Sequence, residues 1–314
     1  MRTTASLAQI VDQWLMETDV LPATAADYRR KIGLWFRWLS SEDIDPRTPR
    51  RQHILLYKQS LQKENRSKLT VGSYVTVVRL FYKFCDRARI YEDIGAGIKS
   101  SFKYTEHRKE ALTSAEAARL LSSIDTDTIV GRRDKLMIAL MLTNGLRCCE
   151  VERIDIQDFN TQRGRTILHI RRKGRTDKQE IVAVPPLIME LVRDYTSCRD
   201  ITPSGPLFLN HSSNSSAGDR LGKISIGIIV KQRLRAIGID RPQITAHSLR
   251  HTCGSLLVEN GVEVEQIRDL LGHSDTATTR IYIEMAQRQK LLSDSPANLI
   301  ADIISKPMKK SLKR

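Results

Sequence analysis

Four short segments hold side chains able to act on a charged substrate. In ITAHSLRHTCGSLLVENG, residues 244–261, His247, Arg250 and His251 fall three or four apart and share one helix face. Leu249, Cys253, Leu256 and Leu257 form the opposite, core-facing stripe. Two imidazoles and a guanidinium on one face make an anion site, although HxxR alone also describes a surface arginine beside a capping histidine. In NGLRCCE, Gly145 ends one helix, Arg147 lies in the first turn of the next, and Glu150 follows one turn later. A helix start suits an anion, and Glu150 can hold the arginine in a single rotamer. A third cation, Lys173, sits at the tip of the strand turn RRKGRTDK, where Arg171, Arg172, Arg175 and Lys178 compete for its role. Finally LGHSDTATTRIY, residues 271–282, runs from a Gly-His turn into a helix that presents Tyr282, one of eight tyrosines in the chain. Ser274 and Asp275 can cap that helix.

The elements that must carry these groups are mostly helical. Leu7, Ile10, Val11, Trp14 and Leu15 recur at helical spacing, as do Tyr28, Ile32, Trp35, Phe36 and Leu39. PRRQHILLYKQSLQKE, with Pro49 at a first-turn position, and SKLTVGSYVTVVRLFYKFCDRARI predict two more helices. Residues 94–110 mix Gly, Ser and charge without apolar periodicity and read as a linker. A second domain opens at LTSAEAARLL, where Thr113 or Ser114 can cap a helix with Glu116 near its start. Two or three short strands follow within residues 156–186, with turns at Arg163-Gly164 and around Lys173-Gly174, and helices then resume. The expected divisions are 1–98, a helical domain; 99–110, a linker; 111–290, a mixed α/β domain; and 291–314, a terminal helix and basic tail. In that tail Leu299, Ile300, Ile303 and Ile304 make a short apolar stripe after Ser295 and Pro296.

Composition points the same way. Lysine and arginine total 51 against 36 acidic residues in 314, a net charge of +15, which is the footprint of a polyanionic partner. The excess is divided: residues 1–105 carry 18 basic and 11 acidic side chains, the remainder 33 and 25, so both parts are expected to touch a nucleic acid. In the first part Arg29, Arg30, Lys31 and Arg37, and again Arg79, Lys83, Arg87 and Arg89, cluster beside aromatics as phosphate contacts or as a solvated helix face. No apolar run approaches the roughly 20 residues of a spanning helix, and Asp12 interrupts any signal-peptide core, so a cytoplasmic, nucleoid-associated protein is expected. Five cysteines without C-x-x-C spacing suggest neither disulfides nor a zinc site.

The order GLRxxE, a lysine turn followed by VP, HxLRH, LGHS and finally tyrosine resembles the tyrosine recombinases, the phage integrase and Xer group. The match spans roughly residues 110–285, and the helical first part resembles the family's core-binding domain. The resemblance implies a mainly α fold with a small β-sheet: an all-helical core-binding domain and a mixed α/β catalytic domain. It implies that Arg147 and Arg250 clamp a scissile phosphate and that His247 donates to it or assists proton transfer. Lys173 would be the general acid, His273 a further phosphate ligand, Tyr282 the nucleophile and Glu150 a supporting residue. Arg171, Arg172, Arg175 and Lys178 are candidate DNA contacts.

The chemistry is consistent with those roles. A free phenol, with pKa about 10, is scarcely ionised at neutral pH and needs cations or a base nearby. A lysine can yield a proton to the leaving 5′-oxygen where an arginine cannot, which favours Lys173 and keeps Lys178 as the alternative. Neither metal nor cofactor is required. The sequence departs from the family at Asn144, where threonine is common, and at Cys148 and Cys149, where a small hydroxyl residue is frequent. The implied activity is site-specific strand exchange through a 3′-phosphotyrosine at inverted half-sites, by a protein monomeric when free and tetrameric on DNA. The alternatives are a type IB topoisomerase-like enzyme and a catalytically silent DNA-binding regulator.

Overall fold

A computed structural model of the chain describes residues 6–100, 110–172, 175, 177–200, 202–212, 216–272, 297, 300, 301 and 303. It divides into two compact units, Met1–Glu106 and His107–Arg314.

The first unit contains α1 (Leu7–Glu17), α2 (Pro22–Ser41), α3 (Arg51–Lys63) and α4 (Lys68–Arg87). Ser6 caps α1 reciprocally with Gln9, each side chain accepting from the other's backbone N–H. Helix α3 starts later than expected: Pro49 precedes the N-cap Arg50, whose N–H donates to His53 Nδ1 at 3.0 Å. Helix α4 persists through its valines because Val71, Val75, Val77 and Val78 are buried with Phe81 and Tyr82. Such burial outweighs the few tenths of a kcal/mol that β-branching costs each helical residue. Trp35, fully buried, donates to the Tyr82 hydroxyl at 3.2 Å, so its indole N–H is satisfied within the core. Several basic residues of this unit already have acidic partners. Arg29 pairs with Asp12 at 2.6 Å, Arg87 with Glu17 at 3.1 Å, and Arg30 and Lys31 with Asp27. Arg37, Lys83 and Arg89 are exposed.

The second unit opens with α5 (Ser114–Ser122), capped by Thr113 and Glu116 as the sequence suggests. It is built around α6 (Ile129–Thr143), whose residues Leu136 to Met141 are all fully buried. A helix apolar all round can be stable only when enclosed, and α5, α8 (Pro186–Thr196), α9 (Lys223–Ala236) and α10 (Ala246–Glu259) pack on it. After the single turn α7 (Cys148–Val151), strands β1 (Phe159–Gln162), β2 (Arg165–Ile170) and β3 (Glu180–Ala183) form an antiparallel sheet in the order β1-β2-β3. Arg163 (φ 50°) and Gly164 (φ 74°) make the two-residue turn between paired Gln162 and Arg165, as expected of a tight hairpin. Leu168 and Ile170 face the core, with Val182 opposite Leu168. Helix α11 (Val264–Leu271) packs Ile267 and Leu271 against Cys253 of α10. No helix among the described residues is long and apolar enough to cross a membrane.

Candidate active site

The site is organised by one carboxylate. Glu150, fully buried in α7, binds Arg147 twice: Oε2 accepts from the Arg147 backbone N–H at 2.9 Å and Oε1 from Nη1 at 2.7 Å. Arg147 is the N-cap of this one-turn helix, one position earlier than the sequence reading placed it. Two more guanidiniums converge on Oε2, Arg172 Nη1 at 3.6 Å and Arg250 Nη1 at 4.0 Å. Three cations about one anion leave a local charge of +2, a field that draws a further anion.

The backbone around Glu150 is set by neighbouring residues. Asn144 ends α6 and is 2% exposed; its amide donates to Ala183 O of β3 at 2.7 Å. The unusual asparagine therefore fixes the helix end to the sheet. Gly145 follows with φ +60°, and a Cβ there would lie 2.3 Å from Leu271 Cδ2. Its carbonyl accepts from Arg250 Nη1 at 2.7 Å, while Arg250 Nη2 donates to Leu271 O at 2.5 Å. Cys148 packs at the margin of the core, and burial pushes its thiol up to about 11.

Helix α10 departs from the expected face pattern. Arg250 is 1% exposed and sits inside the unit, so it does not share a solvent-facing surface with the half-buried His247 and His251. Those two imidazoles meet edge to face, with centroids 4.9 Å apart. Beside them opens a cavity of about 500 Å³ lined by Lys231, Arg235, Asp240, Pro242, Thr245 and His247. No local motif marks it, because its lining comes from α9, α10 and the loop between them.

Two of the expected DNA contacts have partners within the chain. Arg172 is 5% exposed, and its Nη2 and Nη1 donate to Leu270 O and Leu271 O at 2.8 and 3.1 Å. Burial pushes its pKa below the ordinary arginine range, with Glu150 acting in the opposite sense. Arg175 is exposed and Arg171 half-buried. Lys178 is held by Asp155 at 2.6 Å and by Asp158, and Arg220 shares Asp155 at 2.5 Å. Lys173, His273 and Tyr282 lie outside the described residues. So do Leu299 and Ile304, while Ile300 and Ile303 are helical and about half exposed.

The chain matches the model of the phage integrase family over residues 110–289. Among its relatives, the tyrosine recombinase XerD of Listeria innocua serovar 6a is 27% identical over 282 residues, covering 87% of this chain and 91% of the relative. That of Lacticaseibacillus casei is 24% identical over 287 residues, covering 90% and 94%. Among solved structures, the XerH site-specific recombinase bound to a palindromic difH substrate, a post-cleavage complex, superposes with a TM-score of 0.70 at 20% identity, covering 93% and 85% of the two chains. The Tn1549 transposon integrase in complex with a circular intermediate DNA gives 0.69 at 15% identity, covering 89% and 95%. The last two likenesses are of fold.

Proposed function

Because the chain belongs to the phage integrase family of tyrosine recombinases, we propose that it cleaves and rejoins DNA at specific sites through a 3′-phosphotyrosine intermediate. The observation that carries this reading is the convergence of Arg147 and Arg250 on the buried Glu150, which concentrates cationic donors at one place.

In this mechanism Arg147 and Arg250 bind the non-bridging oxygens of the scissile phosphate and His247 and His273 donate to it. Charge accumulates on those oxygens in the pentavalent transition state, so fixed donors stabilise it more than the ground state. The Tyr282 oxygen attacks phosphorus and loses its proton, and the bond to the 5′-oxygen breaks. Lys173 delivers a proton to that oxygen, leaving a 5′-hydroxyl and a 3′-phosphotyrosine. Attack by a 5′-hydroxyl of the partner strand reverses the sequence and reseals the backbone, because one phosphodiester is exchanged for another of similar energy. The engagement of Lys178 with Asp155 and Asp158 supports Lys173 as the acid.

The substrate on this reading is double-stranded DNA with inverted half-sites, a proposal supported by the palindromic site in the XerH complex. Four copies assemble on it, each exchanging residues 291–314 with a neighbour, from monomers in the bacterial cytoplasm. The likeness to a transposon integrase makes movement of a mobile element a candidate role beside chromosome resolution.

The test is covalent capture on nicked duplexes drawn from the DNA flanking the gene. Wild type is expected to form an adduct and Tyr282→Phe none. An adduct undiminished in Tyr282→Phe overturns the nucleophile. Relaxation of supercoiled plasmid with no site preference favours the topoisomerase alternative.

A further inference from the structure

We propose that Arg172 is a positioning residue that joins the backbone immediately before Lys173 to the end of α11 immediately before His273. It thereby holds two proposed catalytic groups in one arrangement. The inference rests on the roles assigned to Lys173 and His273 above.

In sequence Arg172 is the middle of an Arg-Arg-Lys run and reads as a surface cation. Its burial to 5% exposure is therefore informative, since desolvating a guanidinium is costly unless its donors are satisfied. Its two terminal nitrogens are used on a particular target, while Nε has no hydrogen-bond partner among the described residues. The carbonyls of Leu270 and Leu271 belong to the last turn of α11, where intrahelical partners run out, and Arg172 donates one nitrogen to each at 2.8 and 3.1 Å. The two-pronged bond fixes distance and orientation together, which a lysine in the same place cannot do.

The seat is shaped for this contact. Gly272 is the left-handed C-cap of α11, and a Cβ on it would lie 2.4 Å from Arg172 Nε and 2.6 Å from Cζ. The guanidinium thus lies against the bare backbone of the residue preceding His273. On the other side, the Arg175 N–H donates to Arg172 O at 3.1 Å, so Arg172 is also tied to Arg175.

The same carbonyl couples Arg172 to the phosphate clamp. Leu271 O accepts from both Arg172 Nη1 and Arg250 Nη2, and Glu150 Oε2 lies within 4.0 Å of both guanidiniums. A change at Arg172 is therefore felt at the lysine turn, at the α11 end and beside Arg250.

The experiment separates a misplaced acid from a weakened fold by changing the leaving group. A nicked duplex that gives an adduct with wild type is prepared with an ordinary 5′-oxygen or with sulfur bridging at the scissile position. A thiolate departs without a proton, so it tolerates loss of the general acid. Arg172→Met is expected to slow adduct formation on the oxygen substrate by about 10²-fold, the lower end of a general acid's worth, and to recover to within about tenfold of wild type on the sulfur substrate. Lys173→Ala should behave the same way. Arg172→Lys, which keeps the charge and one bond, should show a smaller loss with the same recovery, and serves if the methionine variant does not fold. If Lys173→Ala is not recovered by sulfur, the general-acid assignment fails. If Lys173→Ala recovers while both Arg172 variants match wild type or are slowed equally on both substrates, the positioning role fails and the acid assignment stands.

Discussion

Glu150 grips Arg147 with both carboxylate oxygens, one on its backbone N–H at 2.9 Å and one on its guanidinium at 2.7 Å. One fully buried acid therefore fixes both the start of α7 and the direction of the Arg147 guanidinium, the proposed phosphate ligand.

Replacing that acid tests the arrangement directly. Glu150→Ala removes the counter-charge of three arginines, and breaking such a buried network costs about 3–5 kcal/mol. Urea denaturation should show a midpoint shift of that size. Glu150→Gln keeps acceptor capacity at one oxygen, so a smaller loss of stability with a clear loss of adduct formation is expected.

Gly145 is predicted to admit no side chain. Gly145→Ala forces a residue with a Cβ to φ +60° and meets Leu271 Cδ2 at 2.3 Å. The backbone conformation alone costs about 1–2 kcal/mol, and displacement of Leu271 disturbs the carbonyl that Arg250 uses. Thermal unfolding and adduct yield should fall together.

Lys178 should matter to stability and little to chemistry. Lys178→Met is expected to keep adduct formation within about threefold of wild type, well short of the 10²-fold or more a general acid supplies, and to lower stability by about 1–2 kcal/mol. The pH dependence has a definite sign. Burial works to raise the Asp155 pKa, but hydrogen bonds from Lys178 and Arg220 outweigh it and hold the carboxyl below its ordinary value. A depressed carboxylate contributes stability above its unfolded pKa of about 3.9, and that contribution is lost as pH falls through the folded value. Removing Lys178 raises the folded value, so acid unfolding should begin at higher pH.

Cysteine labelling reports the packing of each unit. Burial pushes Cys148 and Cys253 up to about 11 and Cys85 up to about 12, so their thiols stay protonated near neutrality. Cys198 is exposed. Mass spectrometry after brief maleimide treatment at pH 7 should find Cys198 modified well before those three, and denaturant should abolish the difference.

The tail can be separated from the fold. Ile300 and Ile303 are 54% and 55% exposed in the single chain. Alanine at Leu299 and Ile303 should leave cleavage of a single site intact and abolish synapsis, as seen by gel shift of paired sites. An equal loss of folded protein would instead place the helix on its own domain.

Sequence alone reached the helical first unit, the capped start of α5 and the Arg163-Gly164 hairpin. These rest on local rules: apolar spacing, capping side chains and a left-handed turn, all acting within a few residues. It also singled out Arg147, Glu150, His247 and Arg250, because a guanidinium beside an acid and imidazoles one turn apart are visible as spacing. Their burial and convergence were not visible. Arg250 was read as facing solvent and Arg172 as a DNA contact. Helical periodicity gives the angle between side chains on one element but not which side another element covers. The carbonyls of Leu270 and Leu271 lie 98 and 99 residues beyond Arg172, and no pattern of residue types announces a backbone acceptor at that separation. The residue types therefore determined what chemistry the chain can perform. Tertiary packing decided which cations are enclosed, which lysine is pinned by aspartates and which carbonyl two arginines share, because those depend on elements that meet only in the folded chain.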